Sequence, residues 1–391
     1  MQNSSYIKAL DLLYKASSDD GFLASAVAHS NYNRVWARDG VICGLAALAS
    51  GDVQLIATFE RTLAILARNQ HKNGTIPSNV LVTQHHEEVS YGGLAGRVDA
   101  VTWFIIGVCQ YAFYMKDDSF LAKYKNHIAL CLKLMDAWEF NNKHLMYVPL
   151  SGNWADEYIT DGYVLYDQLL RVWALKSYNY FEKSSEIAHK IKNISSQIEV
   201  NFIPESGGEK YHEKAYGAFD FKSFMPCSFS PAGYKTSFDA FANVLALLLN
   251  LGSPTFQSKI LSYCNTLTAQ MDLKLIPAFW PPIFPEDPDW SLLKNNCKYE
   301  FRNFPNTFHN GGIWPMVNGF YGVALASKDQ KKEAIAILGA MDVANKKTDY
   351  HFYENYDSLN GTPNGVPFCA WSAAAAVLLE KYIFTDFKLL L

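Results

Sequence analysis

Two kinds of helical segment alternate along this chain, and that alternation restricts the fold more than any other feature. Segments apolar all round lie at about 41–49, 100–115, 163–175, 240–251, 313–327 and 367–382. One-faced segments follow them at about 53–69, 119–139, 182–200, 254–271 and 329–345, and an N-terminal helix at about 4–16 supplies the sixth. A helix apolar on every side has to be buried on every side, whereas a one-faced helix covers something. Alternation of the two predicts an inner ring of six helices wrapped by an outer ring of six, an all-α (α/α)6 toroid formed by residues 1–391 as a single domain. An open helical solenoid is the competing arrangement, but the irregular repeat lengths and long loops favour the closed ring. Convincing strand patterns are scarce.

Composition suits such a core. Of 391 residues 49% are hydrophobic and only 18% charged, which leaves little material for disorder. The net charge is −4 and no run of Lys or Arg stands out, so nucleic acid and anionic membrane are poor partners, while self-association stays open. No uninterrupted apolar stretch is long enough to span a bilayer. Residues 1–15 lack a basic segment followed by an apolar one, so no signal peptide is expected. The seven cysteines, at 43, 109, 131, 227, 264, 297 and 369, are scattered, odd in number and without a CxxC pair. They read as reduced core thiols of a cytoplasmic protein.

A closed ring carries a functional expectation. Parallel inner helices open their N-terminal ends at one rim, so the residues that precede them should converge there. Those residues are Trp36, Arg38 and Asp39; Asp99; Trp154, Asp156, Glu157, Tyr158 and Asp161; Asp239; His309, Asn310 and Trp314; and Glu354 with Tyr356. A helix N-cap role alone explains an aspartate at 99, 161 or 239. It does not explain why tryptophans, an arginine, a histidine and glutamates collect at the same ends. Aromatic rings in polar loops suit the faces of sugars.

Glycoside hydrolysis needs a carboxylic acid to protonate the leaving oxygen and a carboxylate to activate water or attack directly. Asp156, beside Trp154, Glu157 and Tyr158, sits where desolvation and like charge would keep a carboxyl protonated, and it is the candidate acid. Glu354, between Tyr353 and Tyr356, is the candidate base. Arg38 and Asp39 suit sugar hydroxyls, and His309 reads as a hydrogen-bond donor to one, its neighbours Gly311 and Gly312 letting a ligand come close. Other chemistries fare worse. There is no GxSxG elbow, and His85-His86-Glu87-Glu88 lacks the spacing of a zinc-binding helix face. No metal or other cofactor is called for. The connections at 201–236 and 276–305, rich in Pro, Gly and aromatics, are too long for turns and should fold over the rim or close the wall.

At these residues the chain resembles the alkaline/neutral invertases, and more loosely the glucoamylase and debranching-type glucosidases. Val35-Trp36-Ala37-Arg38-Asp39-Gly40 is similar to the invertases' aromatic-Val-Arg-Asp-Phe segment, and Gly96-Arg97-Val98-Asp99 with Trp103 to their Gly-Arg-Val…Val-Asp-Ser-Gly…Trp motif. Ser237-Phe238-Asp239-Ala240-Phe241-Ala242-Asn243 resembles Asp-Phe-Arg-Phe…Asn. His309-Asn310-Gly311-Gly312-Ile313-Trp314-Pro315 nearly reproduces His-Asn-Gly-Gly-Ser-Trp-Pro, the most specific match. Tyr353-Glu354-Asn355-Tyr356-Asp357 and Trp371 complete a series that keeps its order from about 31 to 382. The resemblance implies an (α/α)6 barrel and an inverting hydrolase, with Asp156 as general acid, Glu354 as general base and Trp371 at the sugar site. Where the invertases carry Ile-Asp-Arg-Arg-Met, this chain has Ala155-Asp156-Glu157-Tyr158-Ile159, so two basic residues are replaced and mechanism transfers better than substrate.

The expected activity is inverting cleavage of an α-glucosidic bond in sucrose or a short α-gluco-oligosaccharide. Two other classes use such a barrel or its pocket. A sugar 2-epimerase would rely on histidines for proton transfer, and only His309 sits clearly at the rim. A non-catalytic sugar-binding protein would have no need of the paired carboxylates.

Overall fold

A computed structural model describes residues 4–391, and Met1–Asn3, part of the stretch read for a signal peptide, lie outside it. The described residues form fourteen helices. In chain order these are α1 (Ser4–Lys15), α2 (Ala37–Ser50), α3 (Val53–Arg68), α4 (Asp99–Met115), α5 (Asp118–Ala137), α6 (Leu165–Glu182) and α7 (Ser185–Phe202). The remainder are α8 (Glu213–Ala218), α9 (Ala240–Leu248), α10 (Pro254–Gln270), α11 (Trp290–Asn295), α12 (Pro315–Ser327), α13 (Lys331–Lys346) and α14 (Ala370–Phe384).

The apolar helices are the inner ones. In α2 every residue from 37 to 49 is buried, and in α12 every residue from 315 to 325. By contrast α5 buries Phe120, Leu121, Tyr124, Ile128, Cys131 and Met135, a single stripe at helical spacing. Around the inner ring α2 packs on α4, α4 on α6, α6 on α9, α9 on α12, α12 on α14, and α14 back on α2. The ring is closed, which decides between toroid and solenoid. Outside it α3 lies on α2, α5 on α4, α7 on α6, α13 on α12 and α1 on α14, while Tyr321 of α12 reaches Asn265 of α10 at 3.1 Å.

Helix starts differ between the two rings. Outer helices α3, α5, α7 and α10 begin at Asp52, Asp117, Ser184 and Ser253, whose side chains accept from first-turn N–H groups. Inner helices α2, α4, α6, α12 and α14 have no side-chain cap hydrogen bond, and α9 alone is capped, by Asp239. Several inner starts are instead tied to neighbouring loops: Ala37 N donates to Ser78 O and Ala240 N to Ala278 O, each at 2.9 Å. At the other end of α2, Gly51 takes the left-handed conformation at φ 72° and caps the carbonyls of Ala47 and Leu48.

Strands are more numerous than the sequence reading expected. Eleven short ones form a four-stranded, a three-stranded and two two-stranded sheets among the described residues. Most are two residues long, too short for alternation to show. The first apolar segment after Gly162 illustrates this: Tyr163–Val164 is a strand, and the helix starts only at Leu165. The long connections do cover one end of the ring. Pro226–Ser230 and Gly233–Asp239 form the middle of the four-stranded sheet, with Phe279–Trp280 on its edge. The segment after α11 lies on the loop that carries Asp156: Asn296 bonds Ser151 Oγ at 2.8 Å and Tyr158 O at 2.9 Å, and Asn303 Nδ2 bonds Glu157 O at 2.7 Å. Deeper along α4 and α6, the Leu390 carbonyl accepts from Gln110 and Trp173, each at 2.7 Å, and from Ser177 at 3.1 Å. No helix among the described residues is long and apolar enough to cross a membrane, and all seven cysteines are free.

Candidate active site

The first turns of all six inner helices meet at one rim, joined in a circuit. Arg38 of α2 donates from Nη1 to Asp99 Oδ2 of α4 at 2.8 Å, and the hydroxyl of Tyr166 of α6 donates to the same oxygen at 3.2 Å. The Tyr166 ring meets Phe241 of α9 at 5.3 Å, and Phe241 meets Trp154 at 5.8 Å. Trp154 meets Trp314, the residue before α12, at 5.6 Å, and Trp314 meets Trp371 of α14 at 5.7 Å. Arg38 lies over Trp371 at 5.4 Å and closes the loop.

Asp156 stands on the loop between Val148 and Val164. Its Oδ2 accepts from Arg97 Nη2 at 2.5 Å, and its side chain is 27% exposed. Arg97 is itself held by three backbone carbonyls, Gly92 at 3.1 Å, Gly96 at 2.9 Å and Ser151 at 2.7 Å. Burial pushes the Asp156 carboxyl up, but Arg97, His309 and Arg38 outweigh it and hold the group below its ordinary value. This differs from the expectation of a protonated acid. The local sequence showed the aromatics and Glu157 but not the guanidinium brought across from another loop.

Glu354 is buried at the start of a hairpin whose strands are Asn355–Tyr356 and Pro363–Asn364. Tyr32 donates its hydroxyl to Glu354 Oε1, and Val366 N reaches Oε2 at 3.4 Å. Burial raises the carboxyl to about 7 against the opposing pull of Arg302, Tyr32 and Val366. Asp39 is raised to about 6, by burial first and against Arg38, and it feels the charge of Asp156. Glu354 in turn feels the charge of Asp39. Asp39 thus lies within charge range of both candidate catalytic carboxyls.

His309 is buried, with neither ring nitrogen bonded to a protein group. It stacks on Trp314 at 4.9 Å and 2° and stands edge-on to Trp154 at 5.3 Å. Burial, assisted by Arg302 and Arg38 and opposed by Asp156, lowers it to about 3, so the ring is neutral and offers one donor and one acceptor. Other buried polar atoms around the rim also lack protein partners: Arg38 Nε, Arg97 Nε, Asn355 Nδ2 and Trp371 Nε1.

Several anticipated residues face elsewhere. The Trp154 ring is enclosed, stacked on Phe279 at 5.7 Å between Phe241, His309 and Trp314. Tyr158 stacks on Phe279 at 4.1 Å and meets Ser237 Oγ at 3.3 Å. Asn310 uses its side chain to pin Ile283, at 2.7 and 2.8 Å, and Asn303 O, at 3.1 Å. Tyr356 points to Ala344 and Asn345 of α13, each at 3.4 Å. Asp161 feels Lys235, away from the circuit, and is raised by burial. Of the three aspartates that capping alone explained, only Asp239 caps, accepting from Ala242 N at 3.0 Å; burial raises it to about 7. Trp36 bonds Asn31 O at 3.0 Å and lines a cavity of about 10 Å³ with Arg38, Ser78, Arg97 and Asp99. The much larger hollow of about 1090 Å³ between Ile203, Phe221, Thr255 and Tyr263 holds none of the rim residues.

Three residues joined to this group received no role from the sequence. Arg97 appeared only inside a motif. Arg302 grips Glu157, from Nη2 at 3.1 Å and from Nε at 3.3 Å, and its side chain is 34% exposed. Tyr32 ends a single 3-10 turn, Ser30–Tyr32, too short to show periodicity in sequence. Among the described residues no cluster of three or more His, Cys, Asp or Glu is arranged to hold a metal.

The fold is similar to that of a mannosylglycerate hydrolase from Thermus thermophilus in complex with Tris, with TM-score 0.69 and 12% identity over 95% of this chain and 99% of that one. A bacterial glucoamylase complexed with acarbose matches at TM-score 0.65 and 16% identity, over 99% of this chain and 56% of that one. Rhamnosidase from Klebsiella oxytoca with rhamnose bound matches at 0.65 and 14%, over 98% and 64%. At such identities the likeness is one of fold, the six-hairpin barrel of glycosidases. On that barrel the chain is a glycoside hydrolase. Within that class its similarity is to the alkaline and neutral invertases, whose family model matches residues 221–385, a stretch that takes in Asp239, His309, Glu354 and Trp371. No curated protein sequence matches the chain.

Proposed function

We propose that residues 1–391 form one catalytic unit that hydrolyses an α-glucosidic bond with inversion. Asp156 gives its proton to the leaving oxygen as the glycosidic C–O bond breaks. Glu354 takes a proton from the water whose oxygen forms the new bond on the opposite face of the sugar. Asp156 regains a proton from solvent and Glu354 returns one. The observation that carries this reading is the pair of carboxyls held at one rim in opposite electrostatic settings, Asp156 beside Arg97 and Glu354 buried under Tyr32. Such divergent settings mark acid–base pairs. In the free protein the proton sits on the opposite member from the one the reaction needs. A bound sugar that excludes water strengthens the burial effect on Asp156 and so favours its protonation.

Arg38, Asp39 and Asp99, with neutral His309 and the indole N–H of Trp371, suit the hydroxyls of the glucosyl unit. Lowered to about 3, His309 is too weak a base for the epimerase reading, which needs a histidine poised near the working pH. Sucrose or a short α-glucoside is the proposed substrate, and the similarity to alkaline and neutral invertases supports it.

The test is product analysis by proton NMR on sucrose and a panel of α-glucosides. Glucose and fructose released together, with β-glucose appearing first, is the expected result. Cleavage of gluco-oligosaccharides but not sucrose would make the protein a debranching-type glucosidase. First appearance of the α-anomer would overturn inversion. Asp156→Asn and Glu354→Gln should each abolish turnover in a folded protein, and near-normal rates in either would remove that residue from the mechanism.

A further inference from the structure

We infer that Arg302 is the leaving-group residue of this site, and that it takes the hydroxyls of a neutral sugar leaving group. The inference rests on the hydrolase reading above and names the part of the substrate that this reading leaves open.

Three guanidiniums stand at the rim. The side chains of Arg38 and Arg97 are 9% and 12% exposed and serve Asp99 and Asp156, whereas Arg302 is 34% exposed. One edge of Arg302 grips Glu157, the residue after the candidate acid, and its plane lies over Phe308 at 4.0 Å. Nη1 takes no protein hydrogen bond among the described residues, so one side of a held, planar donor stays free for a ligand. Asn303 anchors the same segment to Glu157 O at 2.7 Å, which fixes Arg302 relative to the acid. Arg302 also feels the charge of Glu354 and Tyr32. Bound to the residue after the candidate acid and within charge range of the candidate base, it stands between the two carboxyl-bearing segments, the place assigned here to the departing group.

Charge balance selects the ligand class. Arg38, Arg97 and Arg302 already face Asp99, Asp156 and Glu157, and Arg38 also faces Asp39, so no cation at the rim is left over for an anion. An anionic leaving group would have to displace one of these carboxylates, whereas a neutral polyhydroxylated one uses only the free donors. Glu157, in the place where the invertase pattern has a basic residue, thereby brings in a guanidinium from another loop.

The experiment compares the wild type with Arg302→Ala and Arg302→Lys on the best cleaved disaccharide and on α-glucosyl fluoride, whose leaving group carries no hydroxyl. Arg302→Ala should lower kcat/KM on the disaccharide about ten- to a hundredfold, the effect of a lost charged hydrogen bond. On the fluoride, assayed above the alkaline limb where Glu354 is ionised in both proteins, the change should stay within about twofold, and Arg302→Lys should recover part of the disaccharide loss. In Arg302→Ala the pH limb set by Glu354 should move to higher pH, because a nearby positive charge has gone, and Arg302→Lys should keep it nearer the wild-type position. Equal losses on both substrates would make Arg302 a structural residue only, and an unchanged disaccharide rate would remove it from the site. If the wild type cleaves neither compound, the hydrolase reading itself falls, and this inference with it.

Discussion

Arg97 Nη2 lies 2.5 Å from Asp156 Oδ2, so the candidate acid begins the cycle as an anion gripped by a cation that three backbone carbonyls hold in place. Asp156 is held below its ordinary 3.8 while Glu354 rises to about 7. Between those two values the pair shares one proton, and the productive arrangement is a minor but constant fraction of it. The plot of kcat/KM against pH should therefore be flat over mildly acidic pH and fall tenfold per unit above about 7. Arg97→Met should move the acid limb upward toward the ordinary carboxylate range. An acid limb that stays in place would show that Arg97 does not set the protonation of Asp156.

Tyr32 tests the other half of the pair. Its hydroxyl donates to Glu354 Oε1 and favours the charged carboxylate against the burial that raises it. Removal of that bond in Tyr32→Phe should carry the alkaline limb above 7 and lower kcat about tenfold, the scale of one charged hydrogen bond. A lowered rate with an unmoved limb would make Tyr32 a packing residue, distinct from a group that poises the base.

Asp239 offers a stability test away from the candidate acid and base. Burial raises its folded pKa to about 7 from an ordinary 3.8, so the folded state holds a proton that the unfolded chain has lost. A raised carboxyl contributes stability fully present below about pH 4 and lost as pH rises through about 7. The wild type should therefore be less stable to urea at pH 8 than at pH 5. Asparagine keeps the cap to Ala242 N but cannot ionise. Asp239→Asn should narrow the difference by of order 1–3 kcal/mol, and Asp39, Asp167 and Glu354, also raised by burial, contribute to what is left. An unchanged difference would mean that Asp239 is ionised in the fold.

The ring was legible because burial on all sides leaves a nearly continuous apolar trace in sequence, as along most of α4 and α14, and no strand pattern imitates that. The meeting of Arg38, Asp99 and Trp314 followed from the ring, since parallel helices bring their first turns together wherever the chain places them, while Trp371, which joins them, was indicated by the resemblance alone. Direction within the rim was not legible. Trp154, Tyr158 and Tyr356 sit in polar stretches that suggest exposure, yet Phe279, far along the chain, covers the first two rings and α13, just upstream, the third. Contacts such as those of Arg97 with Asp156, Arg302 with Glu157 and Tyr32 with Glu354 join loops 59, 145 and 322 residues apart. No local pattern encodes such pairs, and they are the contacts that set the charge of the site.

Gly365 is the backbone position on which Glu354 depends. It holds a left-handed conformation at φ 74°, and a Cβ there would run into Glu354 Oε2 and, at 2.7 Å, Asn355 Nδ2. The first effect of Gly365→Ala is strain of roughly 1–2 kcal/mol from the left-handed backbone. The second is displacement of the Glu354 carboxyl away from Tyr32 and Val366, both of which now fix its two oxygens. Misplacement of a base by a fraction of an ångström costs far more rate than stability. The expected outcome is a loss of about a hundredfold or more in kcat, with a thermal midpoint only a few degrees lower and a KM little changed. A variant as active as the wild type would show that the hairpin can yield without moving the carboxyl, and that Glu354 is positioned by its hydrogen bonds alone.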